Sequence, residues 1–170
     1  MGKLKWIRYA SYVIEILVVF MVQETPGLIP ELFGARPVLL IPVALSIALF
    51  EGERPSMMFG LFSGLLIDFG IGGALGFHAL LLAATCFFLS VLATDLIHTN
   101  FLTAMLITIV VSCAVLLLQW LFYFVFAGYE GAFYALTAHF IPRFVYTVVP
   151  APVIYYFNRA LAFQIRAEED

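Results

Sequence analysis

Hydrophobic and polar residues alternate along this chain in long blocks rather than at single positions. Apolar runs cover 6–22, 37–50, 55–69, 77–97, 101–127 and 134–157, each closed by polar, proline or glycine punctuation. Blocks of this kind predict helices in lipid, because a helix satisfies its own backbone groups where water is absent. Gln23-Glu24-Thr25-Pro26-Gly27 stops the first run, and Pro37 opens the second at a first helical position. The charged turn Glu51-Gly52-Glu53-Arg54 divides the second run from the third, and a glycine-rich stretch over 70–76 precedes the fourth. A polar tail, 158–170, follows the sixth. The pattern predicts an all-α fold: a polytopic membrane bundle of about six transmembrane helices, one integral membrane domain over 1–170.

The second and third runs hold 14 and 15 residues, short of the roughly 20 that cross the hydrocarbon. They read as full spans or as a re-entrant hairpin. Either choice changes the count by two and leaves the later helices in the same orientation.

Composition agrees with the blocks. Of 170 residues, 64% are hydrophobic and 11% charged, with a mean hydropathy of +1.08. A soluble domain carries roughly 25% charge. The net charge of −3 and the scattered cations exclude a nucleic-acid footprint. Cys86 and Cys113 lie inside apolar runs as buried thiols and build neither a disulfide framework nor a zinc site.

Lysine and arginine bias sets the expected orientation. With the amino terminus in the cytoplasm, Lys3, Lys5, Arg8, Arg54, Arg159 and Arg166 fall inside, and Arg36 and Arg143 outside. Both termini are then cytoplasmic. A cleaved signal peptide fits poorly, since Glu15 interrupts the first run and no Ala-x-Ala-like site follows. No predicted loop is long enough to hold a soluble domain, so helix faces and loop tips carry the function.

Ionisable groups inside a membrane are costly and are functional candidates by default. Glu15 falls near mid-membrane and reads first as an uncharged carboxyl hydrogen-bonded to a neighbouring helix, ahead of a proton relay. Arg36, Asp68, His78, His139 and Arg143 fall together near the outer end. His139 and Arg143 share a helix face, and Asp68 is the expected counter-charge of Arg36 or Arg143. The cluster reads as an ion pair that orients helices, with a ligand or partner site as the alternative. His98, with Asp95 and Asn100, belongs to a cytoplasmic turn. Tyr155, Tyr156 and Phe157 beside Arg159 form an interfacial belt.

Gly60-Leu61-Phe62-Ser63-Gly64 passes near the Gly-x-Ser-Gly of intramembrane serine proteases, with His139 as an imaginable base, but Leu61 stands where the first glycine belongs. Small residues there read better as a close-packing helix face. No metal-like spacing and no cofactor motif is present.

Four segments in this order resemble the rod shape-determining MreD family: Arg36-Pro37, Ala48 to Arg54, Phe59 to Asp68, and Leu75-Gly76-Phe77-His78-Ala79-Leu80. The detailed match covers about 36–82. The resemblance implies a multi-pass component of the bacterial inner membrane in the cell-wall elongation machinery. It also implies a fold similar to the substrate-binding subunits of energy-coupling-factor vitamin transporters. The implied direct partner is the single-span protein MreC. Other elongation proteins of the membrane and MreB filaments are implied as indirect partners, besides the surrounding membrane lipids. No catalysis and no cofactor are implied. The alternative is a transporter subunit with the outer polar cluster as its pocket. Such subunits dock through small residues four apart in the first helix, where this chain has Ala10 with Ile14 and Ser11 with Glu15.

Overall fold

The computed structural model describes residues 2–30, 36–72, 76–95, 100–126, 128 and 132–167. Six helices account for nearly all of them. They are α1 (Gly2–Glu24), α2 (Leu40–Phe50), α3 (Glu53–Ile71), α4 (Phe77–Asp95) and α5, which is Phe101–Trp120 continued by a π-helical turn, Leu121–Val125. The last, α6, is a broken rod built from Ala132–Ala135, a π turn at Leu136–Phe140, Ile141–Val148 and, past a turn at Val149 and Pro150, Ala151–Ala167. Pro150 has no N–H to continue the ladder, which accounts for the break. Among the described residues there is no strand.

Four helices are long and apolar enough to cross a membrane, over Lys5–Glu24, Phe77–Thr94, Phe101–Val125 and Leu136–Gln164. Their outward faces are apolar, with Trp6, Leu80, Leu102 and Val153 all more than 70% exposed. A surface this apolar is one that lipid covers.

α2 is the axis of the bundle. Its eleven residues are all buried, as expected of a helix that is apolar all round. At about 1.5 Å per residue it is only about 16 Å long. The expected helix over 37–50 therefore starts three residues late, because Pro37 and Val38 lie in a non-helical lead-in. Pro42, in the first turn, needs no N–H. Both ends are tied to protein rather than left open to lipid. The Val38 N–H donates to Thr147 Oγ1 of α6 at 3.0 Å. At the other end the Glu51 carbonyl accepts Ser56 Oγ of α3 at 3.2 Å and Ser90 Oγ of α4 at 2.7 Å. Non-helical backbone is tolerated at membrane depth when it is enclosed this way.

α3 ends at Gly72, whose φ of +66° suits glycine and whose N–H reaches back to the Asp68 carbonyl at 3.1 Å. The small-residue face of α3 packs tightly on α4. A Cβ on Gly64 would enter the His78 carbonyl oxygen and the Ala79 backbone, and one on Gly60 would lie 2.6 Å from the Leu82 carbonyl oxygen. Ser63 is fully buried in the same face, a packing position rather than a nucleophile in a cleft.

The last helix corrects the expected polar tail, since helix continues from 158 to Ala167. Tyr155, Asn158 and Ala162 repeat at three and four residues and are almost fully buried, so this turn belongs to the inner face of α6. Tyr155 is thus a core residue against Phe50 and Phe101, with ring centroids 5.5 and 5.6 Å apart, rather than part of an interfacial belt. Tyr156 and Phe157 remain exposed.

Candidate functional site

Three buried polar groups stand out, and each joins helices that are distant in sequence. At the end of α2, Glu51 is only 5% exposed. Its Oε1 lies 2.7 Å from Arg8 Nε, and Arg8 NH2 donates to Oε2 at 3.2 Å. The Tyr12 hydroxyl donates to Oε1 at 3.2 Å. Arg8 and Tyr12 come from α1 and, one turn apart, share a face. Carboxylate and carbonyl of one residue thereby hold α1, α3 and α4 around the end of α2. The first residue of the expected charged turn over 51–54 is thus buried rather than exposed. An end of α2 inside the protein needs partners, and the flanking helices supply them.

The second group is Asp68, 2% exposed near the end of α3. It does not pair with Arg36 or Arg143. Its Oδ2 accepts the N–H groups of Gly76 and Ala79 at 2.9 and 3.2 Å, and Oδ1 accepts the N–H of His78 at 3.1 Å. His78 Nδ1 lies 2.8 Å from the same Oδ1, donating to a carboxylate that acts as an acceptor throughout. Asp68 therefore caps α4 from outside that helix, where its charge meets the positive end of the helix dipole. The orphan N–H groups of α4 are nearer and more numerous than any arginine donor.

Other members of the expected outer cluster lie apart from this pair. His139 and Arg36 are exposed. Arg143, partly buried on α6, is acted on by the charge of Glu24 at the end of α1. Glu24 in turn lies over Gly70 of α3, where any side chain would strike its carboxylate. The expected five-residue cluster thus divides: Asp68 and His78 are brought together, and Arg36, His139 and Arg143 do not join them. His98 lies outside the described residues.

The third group is Glu15, at the middle of the Lys5–Glu24 span. Asn158 Nδ2 of α6 donates to Glu15 Oε1 at 2.9 Å and to the Ile154 carbonyl at 3.2 Å. This is a hydrogen bond to a neighbouring helix. The partner, Asn158, is fully buried.

Chemically, these sites hold helices together. Each carboxylate meets donors from another helix, and none is paired with a nucleophile. Among the described residues no three His, Cys, Asp or Glu side chains are placed to hold a metal ion. Arg8, Tyr12, Glu51, Ser90, Glu24 and Asn158 are the residues that sequence reasoning missed. The available signals were an arginine inside the first apolar run and an acid directly following an unbroken one.

No curated protein and no solved structure matches the chain. The family model of the rod shape-determining protein MreD matches residues 3–162, nearly the whole bundle with all three polar ties. A helical bundle with an apolar outer surface, covered almost end to end by that model, belongs to the MreD family of rod shape-determining proteins.

Proposed function

We propose that this member of a shape-determining family is a non-enzymatic scaffold of the bacterial cell-wall elongation machinery. In this reading it forms one integral domain of the inner membrane, both termini cytoplasmic, and binds the single-span protein MreC directly. Through that contact it helps link MreB filaments to peptidoglycan synthesis. The observation that carries the reading is the use of buried charge. Glu51, Asp68 and Glu15 are each engaged by donors from another helix, which suits a rigid shape. Asp68 and His78 serve in it as structural residues that set the outer end of α4.

The test is recovery of the full chain from detergent-solubilised membranes of a rod-shaped bacterium, followed by mass spectrometry and by depletion in the same cells. Co-recovery of MreC and rounding of depleted cells are expected. A reporter fused after Asp170 should work only in the cytoplasm. Rods of normal shape that lose uptake of a vitamin would overturn the reading in favour of a transporter subunit.

A further inference from the structure

Two open grooves of similar size run along the outside of the bundle, and their chemistry differs. The groove between α4 and α5, about 480 Å³, is lined by Phe88, Leu92, Leu106 and Val110 among others. Its one hydroxyl, on Thr85, already donates to the Leu81 carbonyl. Acyl chains satisfy such a surface completely. The groove between α1 and α6, about 540 Å³, is bounded by Ile14, Val18, Val153, Ile154 and Phe157, and Glu15 lies in its wall. Glu15 Oε2, in this wall, is buried and has no hydrogen-bond partner. An acceptor left unmet in an apolar setting is expensive. Acyl chains carry no donor to meet it at the middle of the membrane, where Glu15 sits.

We propose that the α1/α6 groove seats the transmembrane helix of a single-span partner, one carrying a hydrogen-bond donor side chain near mid-membrane. The inference rests on the reading that the chain works with such a partner, and adds where it binds and by what chemistry. Ile14 and Val18 on one rim and Val153 and Phe157 on the other are each more than half exposed. They offer apolar ridges one helical turn apart, the spacing into which a third helix packs. The terminal torsion of a glutamate is broad, so Oε2 can turn toward a donor lying between the ridges. A second copy of this chain fits less well. The exposed mid-helix side chains of α4 and α5 include Phe88, Leu106 and Val110, none of which bears a donor.

The experiment places a photo-crosslinking amino acid at Val18, Val153 or, as control, Val110 in the full-length chain, co-expressed with MreC in native membranes. Crosslinks to MreC from Val18 and Val153 but not from Val110 are expected. Glu15→Leu should weaken co-purification by about threefold to twentyfold, the range of one interhelical hydrogen bond in a membrane, and Glu15→Gln should retain most of it. Each variant's thermal midpoint is measured alongside, so that loss of fold is separated from loss of binding. Crosslinks to lipid alone, or to a second copy of the chain, would overturn the groove assignment. So would MreC that co-purifies with the wild type yet crosslinks only from Val110, a result that leaves the functional reading standing. Failure of MreC to co-purify with the wild type would overturn both.

Discussion

Removing the Glu51 carboxylate takes two close contacts from a buried guanidinium. Arg8 is 4% exposed and makes two close contacts to that carboxylate, at 2.7 and 3.2 Å. Breaking a buried pair from one side costs about 3–5 kcal/mol, and the lost acceptor of the Tyr12 hydroxyl adds about 1 kcal/mol. Glu51→Leu should therefore destabilise by about 4–6 kcal/mol, much of the margin of a typical domain. Removing both charges, as in Arg8→Met with Glu51→Leu, leaves neither ion of the pair and should cost about 1–2 kcal/mol, mostly the Tyr12 bond. Cys86 provides the assay, because its thiol is fully buried against the Ala44 carbonyl at 3.6 Å. In a Cys113→Ser background, the rate of thiol labelling in micelles across a denaturant series reports opening of the bundle around α2. A double-mutant cycle whose effects add to within about 0.5 kcal/mol would refute the argument, since the two side chains would then not be coupled.

Asp68→Ala should lower the thermal midpoint through about 2 kcal/mol of lost capping at α4. Asp68→Asn should fall between Ala and wild type, because its amide can accept on only one side. Exchanging charges between Asp68 and Arg143 should rescue nothing, since the two do not pair; recovery on exchange would restore the ion-pair reading. Gly64→Val should cost about 3 kcal/mol or more by forcing α3 off α4, measured as loss of monodisperse protein on size exclusion, whereas Gly52→Ala, with open space around it, should leave the elution profile unchanged. Thr147→Val leaves the Val38 N–H without its acceptor and should cost about 1–3 kcal/mol; an unchanged denaturation midpoint would show that this tie contributes nothing.

Hydropathy made α1, α4, α5 and α6 legible because each is a long block whose outer face meets lipid. The short run at 37–50 looked like a thin span or half a hairpin. Length alone could not say that helix begins only at Leu40 and that hydroxyls from α3, α4 and α6 close its two ends. Asp68 and His78 were legible as neighbours at one end of the bundle. Their bond was not, since opposite charge is a coarser guide than a set of unpaired N–H groups eight to eleven residues away. Arg8 and Glu51 are 43 residues apart, and each sits where an interfacial or loop charge is ordinary. Only the tertiary fold, which buries the end of α2, turns them into a pair. Asn158 was read as the start of a tail because polar residues thicken there, although its burial follows from sharing a face with Tyr155 and Ala162.

An eleven-residue helix enclosed on every side also bears on how the chain enters the bilayer. α2 is too short to be stable across the hydrocarbon alone, and its C-terminal carbonyl and carboxylate find their donors on α1, α3 and α4. Only Glu51 and Gly52 separate it from the 19-residue α3, so insertion as an α2/α3 hairpin is the route that never strands α2 by itself. Two of the donors for Glu51, Arg8 and Tyr12, have by then already left the ribosome, whereas Ser90 emerges later. Of the three helices that supply partners to Glu51, α1 is thus the one that precedes α2 in the chain, so the donors for the carboxylate are made before the short helix and those for the carbonyl after it.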